Sequence, residues 1–219
     1  MYPLHVKGVW MRSIGSYVNI TAENFYFNGC SSCEGACCNG AKGFVASPLI
    51  LEDFSQVYTH FPILFGIDNE RLMAYVLLND GKGHCRYYEN NQCSIYEHRT
   101  PACKLYPITP YFEHILVDTD CPAISTHTGK SLCYNGVLQS DFYTKRLENF
   151  VQKREESLAF YGELYKPEHF QFVGDVSGLK LFIYAKQSDS PYIQMHLESL
   201  KYFWDYFGIK PIKEIRAVS

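Results

Sequence analysis

Cys30-Ser31-Ser32-Cys33-Glu34-Gly35-Ala36-Cys37-Cys38 puts four thiols into nine residues. The stretch lies in a run of small residues, Asn28 to Gly43, whose glycines let the backbone turn tightly and approach a bound ion closely. A polar, glycine-rich loop is a poor place for buried cysteine, so packing does not explain the cluster. Cys30 and Cys33 have the spacing at which one tight turn aims two sulfurs at one metal. A third ligand four or five residues later is typical of a loop that wraps a cluster. The fold expected around such a stretch is loop-rich and organised by metal.

Five further cysteines follow, at 85, 93, 103, 121 and 133. Cys85 and Cys93 flank a hairpin-like segment, a common setting for paired ligands. Cys121 precedes Pro122, a pairing found at the last ligand of some iron–sulfur sites. Cys133 is expected to be a small buried hydrophobe. Consecutive side chains diverge in most backbone conformations. Cys37 and Cys38 are therefore expected to serve two neighbouring sites, or one of them to be a spare thiol.

The 219 residues carry a formal charge of −3 and are 47% hydrophobic, enough for a core and against a dedicated nucleic-acid binder. Met1 to Ser13 has no uninterrupted apolar stretch of the signal-peptide kind, and apolar runs such as Phe44 to Leu51 fall far short of the roughly 20 residues a membrane span needs. A cytoplasmic protein with reduced thiols is expected, in which clustered cysteines read as metal or redox groups. Tetrahedral thiolate suits zinc and iron–sulfur alike. Eight ligands would make two sites of four, or one cluster and one zinc. The spacings match no zinc ribbon, no bacterial ferredoxin run and no CxxCH haem site.

Lys42, Arg86, Arg99 and Lys104 lie within a few residues of the candidate ligands and could offset thiolate charge, although each alone reads as solvated surface. His84 and His98 are candidate supporting donors or ligands, and His196 reads as a satisfied core group. Glu113 and Asp118 to Asp120 read as solvated loop charge. No GxGxxG, Walker A or GxSxG stretch is present. The 18 tyrosines and 15 phenylalanines are spread along the chain and read as packing.

The rest of the chain reads as α+β. Strands are expected at Tyr17–Ile20, Phe44–Leu51, Tyr75–Leu78 and Tyr111–Asp118. Tyr75–Leu78 is expected to form a hairpin with His84–Glu89. Helical spacing marks Glu52–Phe61, and a helical turn is expected at 94–100, stopped near Pro101. Beyond Cys133 the pattern becomes helix (Leu138–Leu164), strand (Gly178–Tyr184) and helix (Pro191–Phe207). A cysteine-cluster metal-binding domain over 1–135 is thus expected, with a helix–strand–helix extension over 136–219 packed against it.

Cys93-Ser-Ile-Tyr-Glu-His-Arg99-Thr-Pro101-Ala-Cys103-Lys-Leu-Tyr-Pro107 resembles the motif C-x-I-Y-x-x-R-P-x-x-C-[RK]-x-[FY]-P of the YkgJ-type CxxCxxCC cysteine-cluster family. Gly83-His-Cys85 resembles the step that precedes that motif, and Cys30 to Cys38 stands where the family has its CxxCxxCC loop. Two departures are visible: three residues separate Cys33 from Cys37, and Thr100 is inserted before Pro101. The resemblance implies a zinc- or iron-chelating domain with Cys30, Cys33, Cys37, Cys38, Cys85, Cys93, Cys103 and Cys121 as ligands. Tyr96, Arg99 and Pro101 would shape the loop between two of them. The cysteine region is also similar to that of flagellin lysine N-methylase, an iron–sulfur methyltransferase.

Three functions follow as expectations. The first is a thiolate-held iron–sulfur cluster, of the 4Fe–4S type, in a redox, sensing or enzyme-accessory role. The second, implied by resemblance alone, is an S-adenosylmethionine-dependent protein lysine methyltransferase; no catalytic residue is assignable. The third is a zinc-stabilised module that binds a protein partner through its aromatic C-terminal part. Neither a nucleic-acid nor a membrane partner is expected, and oligomeric state is left open.

Overall fold

The computed structural model describes residues 17–29, 35–40, 46–68, 70–79, 83–90, 92–111, 114–142, 144–176 and 179–207. The chain is α+β, as the sequence implies. Its centre is a five-stranded antiparallel sheet. Strands β3 (Ala46–Leu49), β4 (Ile63–Asp68) and β5 (Arg71–Leu77) come from the first half of the chain, β13 (Phe170–Val176) and β14 (Leu179–Tyr184) from the second. The strand order is β13-β14-β4-β5-β3. The stretch 136–219 therefore contributes two strands to the sheet that β3, β4 and β5 begin.

Tyr75–Leu78 does lie on or beside a strand, but its partners differ from those expected. β5 pairs with β4 from Ile63↔Val76 to Asp68↔Arg71, and with β3 on its other side. Among the described residues, His84 makes only an isolated strand bridge, to Asn39. The reason is visible in β5, which is buried from Leu72 to Leu77 on both faces. A strand covered on both sides reads as a continuous apolar run, and nothing in such a run says which neighbour it pairs with.

One face of the sheet, with Ile63, Phe65, Ala74 and Val76, packs against Phe54, Val57 and Tyr161. Phe54 and Val57 belong to α1 (Phe54–Val57), a single helical turn where a longer helix was expected. Tyr161 belongs to α3 (Lys145–Leu164), which starts later than its periodicity suggests. Val137–Leu138 instead forms a strand, β12, and Thr144 caps the helix by accepting from the Leu147 amide at 3.3 Å. Tyr161 donates its hydroxyl to the Leu49 carbonyl at 3.0 Å, and the Leu51 amide donates to Ser157 Oγ at 3.1 Å. The other face buries Leu64, Leu77, Leu181 and Ile183 against Leu200 and Phe203 of α4 (Pro191–Phe207).

Two smaller sheets flank this body. β8 (Ile108–Tyr111) and β9 (His114–Asp118) form a hairpin joined by β1 (Tyr17–Asn19). β2 (Phe25–Phe27) lies between β10 (Ile124–Ser125) and β11 (Lys130–Tyr134), and β11 also pairs with β12. A third cluster, including Ile20, Phe25, Val117 and Leu132, fills the space between them. The remaining short pieces are the hairpin β6 (Tyr88–Glu89) and β7 (Gln92–Cys93) and the one-turn helix α2 (Pro101–Leu105). No described helix is long and apolar enough to cross a membrane.

Candidate metal centre

Gly35 adopts φ 67°, a left-handed conformation, and opens a 3-10 turn over Ala36–Cys38. A Cβ at Gly35 would overlap the ring of Tyr88, so glycine is required twice over. The turn brings the sulfurs of Cys37 and Cys38 within 3.8 Å of each other. The expected divergence of adjacent side chains does not hold here, because the tight winding keeps both thiols on one side.

Residues 38–40 are stitched to residues 83–85. The Cys85 amide donates to the Cys38 carbonyl at 2.7 Å, and the Gly40 amide donates to the Gly83 carbonyl at 2.8 Å. These two bonds set Cys38 beside Cys85, 47 positions away in sequence. A tight turn then leads to β6, with the Tyr88 amide donating to the Cys85 carbonyl at 2.8 Å, and β7 returns Cys93 opposite Tyr88. Pro101 starts α2, where a stop was expected. Thr100 is its N-cap, accepting from the Cys103 amide at 3.3 Å, and its hydroxyl lies 3.2 Å from Cys103 Sγ as donor.

Cys37, Cys38, Cys85, Cys93 and Cys103 all line one cavity of about 390 Å³. Their electrostatics reflect this crowding. The Cys38 thiol is pushed far up, first by its contact with the Cys37 sulfur, then by burial and by Cys85 and Cys103. Burial raises Cys85 to about 11; the Tyr87 amide and Arg86 oppose this, and Cys93 and Cys37 add to it. Burial also raises Cys103 to about 12, with Thr100 acting in the opposite direction. Thiols packed this way cannot shed their protons together unless a cation arrives to take the charge. Among the described residues, no three His, Cys, Asp or Glu side chains are drawn in tightly enough to hold an ion as they stand. The donor set nevertheless has the chemistry of a soft, thiophilic metal. A sulfur–sulfur distance of 3.8 Å also matches the edge of a tetrahedron with metal–sulfur bonds of about 2.3 Å.

Residues 29–135 match a family described as a "Putative zinc- or iron-chelating domain". This stretch belongs to the CxxCxxCC family. Comparison of the chain with curated proteins and with solved structures finds no significant match. The CxxCxxCC region spans every cysteine of the chain. Metal binding through cysteines is thus supported both by the family and by the chemistry of the cavity.

The other expected site residues fall as follows. Cys30, Cys33, Lys42 and Glu113 lie outside the described residues. Cys121 is buried in the turn after β9 and does not line the CxxCxxCC cavity. Cys133 sits in the core, fully buried, with Sγ facing the Ile20 and Glu23 carbonyls at 3.8 and 3.7 Å. His84 is exposed and stacks on Tyr88 with ring centroids 4.7 Å apart; His98 is exposed too. Arg86 turns toward α4, over Tyr202 and near Asp205 at 3.6 Å, while Lys104 points to solvent. Arg99 lines the cavity.

Asp118 corrects the reading of its loop as solvated. It is fully buried and accepts from the Tyr106 hydroxyl at 2.9 Å. The sequence reading missed the tyrosines of the wall (Tyr17, Tyr87, Tyr88 and Tyr106), because tyrosines spread through a chain look like packing. It also missed Thr100, although a threonine directly before a proline is a helix-start signal.

Proposed function

We propose that this protein holds an iron–sulfur cluster, of the 4Fe–4S type, through cysteine thiolates and serves a redox, sensing or enzyme-accessory role. The observation that carries this reading is the convergence of five thiols, from three separate stretches of chain, on the wall of one cavity. Cys30 and Cys33 are proposed to complete the donor set. A single tetrahedral ion and a 4Fe–4S cluster each take four sulfurs, and this region offers enough for either. The cavity is also much larger than one ion requires; a water molecule's share of liquid volume is about 30 Å³. When bound, such a cluster supplies one-electron chemistry. The chain's part is to hold the sulfurs, exclude bulk water with tyrosine rings, and donate from Thr100 to the Cys103 sulfur.

One observation favours a second reading, a structural zinc site. The 3.8 Å separation of the Cys37 and Cys38 sulfurs suits two ligands on one ion.

Purification without oxygen, followed by assay of iron, acid-labile sulfide and zinc per chain and a visible spectrum, tests the proposal. Iron and sulfide in near-equal amounts, with a brown colour bleached by dithionite, is the expected result. A colourless protein with stoichiometric zinc would replace the first reading by the second.

A further inference from the structure

Arg99 is fixed in place beside the cysteines. Its Nε donates to the Tyr96 carbonyl at 2.8 Å, and its guanidinium lies 3.5 Å from the centroid of the Tyr96 ring. No carboxylate pairs with it among the described residues: its only hydrogen bond and its only ring contact there are the two to Tyr96. Arg99 and Tyr96 both line the cavity. An arginine that is held rigid but has no acid partner keeps unused donors in a fork suited to a carboxylate.

The cavity itself has the proportions of a small-molecule site. Such sites run from about 300 to 1,000 Å³ and combine apolar and aromatic walls with a few fixed polar groups. Here about 390 Å³ is lined by tyrosines, Phe61, Leu78 and Ile95, with Arg99 the cation of the wall among the described residues. A metal centre at the thiols would occupy only part of this space.

We infer that the cysteine cavity is also a ligand site, which takes a small organic carboxylate whose body packs on the tyrosines and whose anionic end is held by Arg99. The inference rests on the cavity being the functional site and names the class of molecule that enters it. Arg99 is the specificity-determining residue, because the negative charge of a thiolate centre would otherwise repel an anion. Tyr96 keeps the guanidinium from folding away.

The test uses the full chain as purified with its metal, and benzoate as probe. Saturation-transfer NMR and calorimetry compare benzoate with benzamide, its uncharged analogue, on the wild type and on Arg99→Gln and Arg99→Lys. Benzoate is expected to bind and benzamide not. Arg99→Gln is expected to weaken benzoate about tenfold or more, as loss of a charge-assisted pair does. Arg99→Lys is expected to fall between the two. Metal content, measured on the same samples, is expected to be unchanged in both variants. Equal binding of benzoate and benzamide to the wild type would overturn the inference without need of any variant. So would undiminished benzoate binding by Arg99→Gln, or loss of metal from it, since Arg99 would then belong to the metal's support. A wild type without iron or zinc would instead overturn the metal proposal, and the benzoate–benzamide comparison would still decide this one.

Discussion

His196 Nδ1 lies 2.8 Å from the carbonyl oxygen of Ile63, inside the protein and out of reach of solvent. A carbonyl only accepts, so Nδ1 carries the proton. The other ring nitrogen, Nε2, accepts from the Tyr184 amide at 3.0 Å. β14 and β4 pair from Lys180↔Ile67 to Phe182↔Phe65, and the same register continued would set Tyr184 opposite Ile63. The imidazole stands where the next backbone bond of that ladder would be. Ser199 completes the join by accepting from the Ile63 amide at 2.9 Å. Through these two side chains α4 satisfies the first residue of β4 at both of its backbone groups.

This arrangement makes stability depend on pH. Burial lowers the His196 pKa to about 4, although the Ile63 carbonyl acts in the opposite direction. The Tyr184 amide also occupies the nitrogen that a second proton would need, and the nearest ring is the apolar Phe65, with centroids 4.9 Å apart. A depressed pKa means the unfolded chain binds the proton first. The contribution is therefore whole above about pH 6.5 and is lost as pH falls toward 4, reaching about 2 kcal/mol at pH 5. Urea midpoints at pH 7.5, 6 and 5 should fall more steeply for the wild type than for His196→Gln. Parallel curves would rule out His196 as the sensitive group.

Glycine substitutions should separate the site from the scaffold. Gly35→Ala puts a side chain at φ 67° and into the Tyr88 ring, and Gly40→Ala collides with the Gly83 carbonyl. Both should lower metal content per chain, because they disturb the turn and the stitch that bring Cys37, Cys38 and Cys85 together. Gly162 lies in α3 with open space where its Cβ would be. Gly162→Ala should raise stability by about 0.5–1 kcal/mol and leave metal content alone. Metal analysis together with thermal melts on the three variants checks both halves.

Cysteine variants should divide in the same way. Cys38→Ser, Cys85→Ser and Cys103→Ser each remove a sulfur from the cavity wall, and a protein held together there by metal should lose metal and solubility together. Cys133→Ser should keep its metal, since its sulfur faces the Ile20 and Glu23 carbonyls in another part of the core. Its burial should still cost about 1 kcal/mol on the exchange of thiol for hydroxyl. Full metal content in Cys103→Ser would remove that residue from the donor set.

How far these features could be read from the sequence depended on the range of the contacts that set them. α4 was legible because its cues are local: Pro191 at the start and apolar residues at helical spacing. That cysteines would gather was equally plain from their clustering. β13 was missed, since Phe170-Gln-Phe-Val-Gly-Asp-Val carries a glycine and exposed residues and earns its place only by pairing with β14. The pairing of β5 with β4, and of Cys38 with Cys85, is fixed by backbone bonds between distant segments that leave no periodic trace. The 3.8 Å approach of Cys37 to Cys38 depends on a 3-10 turn that starts at a left-handed Gly35 and leans on Tyr88. The sequence shows the glycine but not the ring behind it.

The ion pair between Asp53 and Arg146 gives a last test, remote from the cysteines. Asp53 is fully buried beside α1, and its Oδ2 both pairs with Arg146 of α3 and accepts from the Ile50 amide at 3.3 Å. Burial raises the Asp53 pKa, and the Arg146 guanidinium is the main influence holding it down. Arg146→Leu leaves the carboxylate buried without its cation, which should cost about 3–5 kcal/mol at neutral pH. Without Arg146 the Asp53 pKa rises further above its unfolded value. Its folded form then favours the protonated acid, so stability is greatest at low pH and is lost as pH rises. The deficit of Arg146→Leu relative to wild type should accordingly be smaller at pH 5 than at pH 7.5. Asp53→Asn combined with Arg146→Leu should recover part of the loss and abolish that pH dependence. Urea denaturation of the three proteins at both pH values measures each step. A deficit that did not vary with pH would mean that Arg146 acts through packing of its hydrocarbon stem and not through its charge.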